Sequence, residues 1–180
     1  GLEALREAGF NITAIFSHED DPGENCWFDS VAEWANKNHV DVFCPPDVNT
    51  PDWTEKVSRI APDMIFSFYF RHMLSQEILN IPALGAYNLH VSLLPAYRGR
   101  TPVNWAIVNG ERRTGVTLHH MIGKPDAGDI VGQKAVEIEF EDTTRTLYDK
   151  LCGAAREMLA EVLPLIREGR APRFPQDLAK

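Results

Sequence analysis

A run of seven residues, Met64 to Phe70, is apolar or aromatic at every position but Ser67. A strand with one wet face alternates polar and apolar residues. A run without alternation fits a strand covered on both faces, as at the centre of a parallel sheet between layers of helices. Signals before it repeat that arrangement. Leu2 and Leu5 share one face of a helix that Gly9 stops, and Asn11 to Ser17 reads as a strand. The polar run His18 to Asn25, with Pro22 and Gly23, is a loop. Phe28, Val31, Ala32, Trp34 and Ala35 recur at helical spacing, and Val40 to Cys44 is a short strand closed by Pro45 and Pro46. Thr50 is placed to cap a helix carrying Pro51 and Asp52 in its first turn. Strand, helix and strand in succession predict an α/β, Rossmann-like, mostly parallel sheet with helices on both faces. Such a unit opens on a strand, so one is expected before Gly1, and this first strand is absent from the residues as given.

The second half continues the pattern with a more irregular centre. Gly85 to His90 is a strand; Pro95, Gly99 and Pro102 then impose a loop, and Thr101 is placed to cap a helix reaching Asn109. Thr114 to Met121 and Ile130 to Ile138 are strands around a tight loop, Ile122 to Asp129, that carries Gly123, Pro125 and Gly128. Thr143 starts a long helix with Leu147, Leu151, Ala154, Met158 and Val162 on one core-facing stripe. Gly169, Pro172 and Pro175 break regular structure beyond it. The expected division is a catalytic domain over 1–170 and a linker over 171–180 toward a C-terminal domain absent from these residues.

Composition narrows the function classes. Lys and Arg number 18 against 26 Asp and Glu, a formal charge of -8. That is the wrong sign for a broad nucleic-acid footprint, although a local basic pocket for phosphates is compatible with it. Cys26, Cys44 and Cys152 are odd in number and widely spaced, which supports neither a disulfide framework nor a zinc pattern. The longest apolar run is far too short to span a membrane, and the N-terminus lacks a signal-peptide pattern. A cytoplasmic location is expected. Glu19, Asp20, Asp21 and Glu24 lack the alternating spacing of a calcium loop and read as solvated.

The chemistry concentrates between Gly85 and Trp105. Strand side chains alternate, so Asn88 and His90 project from one face, where an amide donor and an imidazole converge. A strand leading through a loop into a helix is where open α/β sheets hold ligands. His119 and His120, neighbours in a strand, face opposite sides and so cannot share a metal ion in the ordinary way; structural roles are expected for both, and no metal. No G-x-G-x-x-G phosphate turn is present, which weighs against a simple nucleotide-binding module.

The string N-x-H-x-S-L-L-P-x-Y-R-G-x-x-P-x-x-W, followed by T-G-V-T-L-H at 114 to 119 and D-A-G-D at 126 to 129, resembles the family that transfers a formyl group from 10-formyltetrahydrofolate to an amine. Within it, D-P-G-E at 21 to 24, F-S-F-Y-F-R-H at 66 to 72 and N-G-E at 109 to 111 resemble the members that formylate UDP-4-amino-4-deoxy-L-arabinose. The resemblance covers nearly the whole chain. It implies Asn88, His90 and Asp126 as catalytic residues. It also implies a folate site formed by His72, Met73 and Leu74, largely through backbone groups, with Arg100 and the loop Ile122, Gly123, Lys124, Pro125 and Asp126. Its implied partners are folate and a nucleotide sugar, with a homo-oligomer or a fused decarboxylase domain in the full-length protein. Other amino-sugar acceptors, methionyl-tRNA, and hydrolysis of the same co-substrate are the alternatives. One departure stands out: the residue after the histidine is usually Gly, Ala or Pro in that family and is Val91 here, a branched side chain expected to narrow the approach of folate or sugar.

Overall fold

The computed structural model describes residues 1–20, 23 and 29–179. Its elements run α1 (Leu2–Glu7), β1 (Ile15–Phe16), α2 (Val31–Asn38), β2 (Val42–Phe43), α3 (Pro51–Ile60) and β3 (Ile65–Phe68). They continue with α4 (Gln76–Leu79), β4 (Ala86–His90), α5 (Pro102–Val108), β5 (Arg113–His120), β6 (Ile130–Glu137) and α6 (Thr144–Arg167). Strands β1 and β2 pair in parallel; β3, β4, β5 and β6 form a four-stranded sheet in that order. Within it β3 and β4 are parallel, and β5 and β6 add an antiparallel half. This is the α/β architecture expected from the alternation of strand and helix signals.

Two apolar clusters lie on the two faces. On one, Tyr87 and Leu89 of β4, Val91 just beyond it, and Val116 and Leu118 of β5 meet α6. On the other, Val48, Val57 and Ile78 pack with Phe16 and Ile65. Helix α6 is the main cover. Its Leu147, Leu151, Leu159 and Leu163 are almost wholly buried, and truncating any one to Ala would cost about 2–5 kcal/mol. Thr143 and Thr146 make a reciprocal capping box at its start, and Arg167 Nη1 donates to the Ala8 carbonyl that ends α1 at 2.6 Å.

Several sequence expectations are corrected. β1, β2 and β3 are shorter than their apolar runs. β3 is an edge strand of its sheet among the described residues, and its side chains are half-buried rather than sealed on both faces. The run is apolar or aromatic apart from Ser67 because Phe66 and Phe68 meet one apolar cluster while Ile65 meets the other. Thr50 and Thr101 stand at the starts of α3 and α5 without making a side-chain cap; Thr101, at φ 55°, is in the left-handed region. Ser30, unremarked in the sequence, does cap α2 by accepting from the Glu33 N–H at 3.1 Å. Beyond α6, Phe174 bridges Ile130 through two main-chain hydrogen bonds, and Arg173 pairs with Asp129 at 2.7 Å. Of the D-P-G-E motif only Gly23 is described; Asp21, Pro22, Glu24, Cys26 and Phe28 lie outside the described residues.

Candidate active site

Alternation along β4 sends Tyr87 and Leu89, and Val91 just beyond it, into the α6 core and leaves Asn88 and His90 on the opposite face. Val91 therefore does not narrow the approach to His90; its side chain is buried in the core behind the strand. The antiparallel register sets Asn88 opposite His119 and His90 opposite Thr117. Val116 and Leu118 face α6, so Thr117 and His119 join the polar face. One residue that sequence reasoning treated as structural thus enters the site.

Asp126 arrives from the loop between β5 and β6, with φ 48°. A Cβ at Gly128 would lie 1.9 Å from the His120 carbonyl oxygen, so only glycine lets this loop rest on the end of β5. The tail holds it from outside. Gln176 Nε2 donates to the carbonyls of Asp126 and Gly128 at 2.9 and 2.6 Å.

The three expected catalytic residues meet at one oxygen. Asp126 Oδ1 lies 3.3 Å from Asn88 Nδ2, 3.3 Å from His119 Nε2 and 3.6 Å from His90 Nδ1. Asp126 Oδ2 accepts the Gly99 N–H at 3.0 Å. Backbone carbonyls decide the imidazole tautomers, because a carbonyl only accepts. His90 Nε2–H donates to Tyr97 O at 2.8 Å, and His119 Nδ1–H donates to His120 O at 2.8 Å. In the neutral rings, His90 Nδ1 and His119 Nε2 are bare and both face the carboxylate. Asn88 Nδ2 has two hydrogens, one for Asp126 Oδ1 and one for His119 Nε2 at 3.2 Å. The arrangement is built to take up a proton between the carboxylate and two imidazoles.

The charges follow from these contacts. Burial lowers the His90 pKa, only partly offset by Asp126 and the Tyr97 carbonyl, so the ring is neutral near pH 7. Burial alone would raise the Asp126 pKa; His119, His90 and the Gly99 N–H outweigh it and hold the carboxyl below its ordinary value.

The expected folate residues are mostly exposed. Asn49 brackets 73–75, its Nδ2 donating to Met73 O at 2.9 Å and its Oδ1 accepting the Ser75 N–H at 2.7 Å. His72 and Met73 are exposed, while Leu74 packs into the smaller apolar cluster. Ile122, Gly123, Lys124 and Pro125 are exposed, and Arg100 is exposed beside Gly99. A cleft of about 320 Å³ has Gln76, Leu84, Gly85, Ala86, His120 and Ile122 in its wall; of the expected folate residues it takes in Ile122, and Asn88, His90 and Asp126 are not among its lining residues. Asn49 and Gln76 had no signal in the sequence beyond being polar. Among the described residues no group of His, Cys, Asp and Glu is arranged to hold a metal ion, and no helix is long and apolar enough to cross a membrane.

Comparison with known proteins gives the family and the fold. Residues 2–163 match the family model described as formyl transferase. Phosphoribosylglycinamide formyltransferase from Bacillus halodurans shares the fold, with TM-score 0.76 and 24% identity over 93% of this chain and 88% of that one. An N-formyltransferase from Helicobacter canadensis, solved with folinic acid and dTDP-3-aminofucose, is 25% identical with TM-score 0.78; the match covers 98% of this chain and 62% of that one. A formyltransferase from Anoxybacillus kamchatkensis, solved with UDP-4,6-dideoxy-4-formamido-L-AltNAc and tetrahydrofolate, is 26% identical over 91% of this chain and 81% of that one, with TM-score 0.66. The chain belongs to the formyl transferase family, and is an enzyme of formyl transfer.

Proposed function

We propose that this enzyme moves the formyl group of 10-formyltetrahydrofolate to the amino group of a nucleotide-linked sugar, UDP-4-amino-4-deoxy-L-arabinose. In the cytoplasm that reaction would serve lipid A modification and, through it, resistance to polymyxin. The observation that carries the reading is the meeting of Asn88, His90 and Asp126 at one oxygen, with His90 Nδ1 bare. The uncharged amine attacks the formyl carbon, and the carbonyl electron pair moves onto oxygen. Asn88 donates to that oxygen by turning an amide hydrogen away from Asp126 or His119; one such donor is worth on the order of 10²- to 10³-fold in rate. The amine proton passes by way of Asp126 to His90 Nδ1. The bond from carbon to the folate nitrogen then breaks, the nitrogen leaves with the pair and recovers a proton from His90, and the carbonyl re-forms. Folate would lie along His72 to Leu74, Arg100 and the Ile122 to Asp126 loop.

The choice of acceptor draws support from two of the structural neighbours, whose structures contain nucleotide sugars, and from the acidic charge of this chain. The test supplies 10-formyltetrahydrofolate with UDP-4-amino-4-deoxy-L-arabinose, a dTDP-amino sugar, phosphoribosylglycinamide or methionyl-tRNA, following folate release at two salt concentrations. Turnover with the UDP sugar and a weak salt dependence are expected. Turnover only with methionyl-tRNA, falling steeply with salt, or only with phosphoribosylglycinamide, sinks the sugar reading. Folate release without any acceptor moves the enzyme to the hydrolases.

A further inference from the structure

The Asn109-Gly110-Glu111 motif touches none of the three catalytic side chains, yet both of its polar side chains reach the site through one residue. We infer that Asn109 and Glu111 are positioning residues for His90, acting through Tyr97; this rests on the proton role of His90 proposed above. The main-chain carbonyl of Tyr97 accepts the His90 Nε2–H at 2.8 Å. At its other end the Tyr97 hydroxyl donates to Glu111 Oε1 at 2.6 Å and accepts from Asn109 Nδ2 at 3.0 Å. One residue is thus tied at one end to the imidazole and at the other to the turn between α5 and β5. That turn is itself fixed. The N–H groups of Asn109, Gly110 and Glu111 each donate back to α5 carbonyls at 3.0 Å.

Tyr97 needs such an anchor. It holds φ 56°, and Gly99 and Thr101 follow at 95° and 55°. A tyrosine in the left-handed region is unfavourable by itself and persists only where its surroundings over-determine it. The preceding residues have a separate hold. Thr117 Oγ1 donates to Ser92 O and accepts the Leu94 N–H, Ser92 Oγ donates to Ala96 O, and Gln133 Nε2 donates to Leu94 O. This buried network reaches Ala96. At Tyr97 the side-chain anchors are the hydroxyl contacts to Asn109 and Glu111, and two residues on Asp126 Oδ2 holds the Gly99 N–H.

The chemical consequence lies in the tautomer. While Tyr97 O keeps the proton on Nε2, His90 Nδ1 is bare and can accept. If Tyr97 relaxes, the ring is free to take the Nδ1–H tautomer, which donates to Asp126 and leaves no bare nitrogen on the site side to take a proton.

The test uses the protein labelled with ¹⁵N-histidine. Long-range ¹H–¹⁵N correlations read the His90 tautomer independently of activity, and kcat/KM for formyl transfer is measured alongside. Tyr97→Phe and Glu111→Ala are expected to raise the Nδ1–H share and lower kcat/KM roughly tenfold, the size of one charge-assisted hydrogen bond. Glu111→Gln, which still accepts from the phenol, should recover most of both, and Asn109→Ala should fall between. An unchanged His90 tautomer in Tyr97→Phe and Glu111→Ala overturns the inference, whatever the rates do. A shifted tautomer with unchanged kcat/KM, in an enzyme that His90→Gln inactivates, overturns it too. Full activity in His90→Gln overturns the proton role of His90, a separate failure from an unmoved tautomer.

Discussion

His90 and His119 stand on neighbouring strands, and each gives one ring nitrogen to a main-chain carbonyl while turning the other to the same oxygen of Asp126. What holds them differs. The carbonyl that orients His119 belongs to the next residue of its own strand, His120, whose N–H donates to Asp129 O. The carbonyl that orients His90 belongs to Tyr97, in a loop with several left-handed residues that is anchored from the α5–β5 turn. His119 is 1% exposed and its ring is set by the sheet. The lesson is a division of labour: the imidazole proposed to accept and return the proton is held by a loop anchored from outside the sheet, and the one that shapes the site is built into the ladder.

The strongest way to break this comparison is to remove what the two rings share. Asp126→Asn keeps the size of the side chain and removes the proton acceptor, and kcat should fall on the order of 10²- to 10⁴-fold. Single-turnover formyl transfer measures this, with a melting curve to show that the fold survives. A loss below tenfold would mean that Asp126 is not the centre of the site.

Substituting each ring separately sharpens the contrast. His90→Gln should cost roughly 10²-fold in kcat with little change in stability. His119→Gln should lower unfolding stability by about 1–3 kcal/mol, because His120 O and Asn88 lose a buried partner, while kcat falls less than in the His90 variant. Urea unfolding and steady-state kinetics on both proteins decide the matter. The opposite ranking in the two measurements would erase the division of labour.

The smallest expected effect is in pH. The pKa of His90 is lowered from the ordinary 6.5 by burial. At pH 6.5 an unperturbed imidazole would be half protonated and kcat/KM halved; His90 should lose less than that, with its acid limb displaced to lower pH. Stability follows the same sign. Below about pH 6.5 the unfolded chain takes a proton that the folded one refuses, so the contribution of His90 is complete above that pH and declines toward its folded pKa. A kcat/KM already halved at pH 6.5 would contradict the burial of the ring.

Much of this was legible in the residues. Period-two alternation aligned Asn88 with His90, and the apolar stripe of α6 named its buried face correctly from Leu147 to Val162. That same alternation turns Val91 into the core, although the branched side chain invited the opposite reading. Asp126 was reached through family resemblance; its Asp-Ala-Gly setting by itself reads as an ordinary turn. His119 was missed because two adjacent histidines say only that they face opposite sides. Which of them faces Asn88 depends on the register between β4 and β5.

The sequence by itself determined the strand and helix succession and the shared face of Asn88 and His90, since these depend on local periodicity. Tertiary structure alone decided which carbonyl fixes each imidazole, that β3 is an edge among the described residues, and that Gln176 holds Asp126 from 50 positions away. Those features depend on how strands, loop and tail are set against one another, even where, as for His119 and His120, the partners are neighbours along the chain. Their partners are chosen by the packing of the sheet against α6, a sum over many weak contacts that no single stretch of residues encodes.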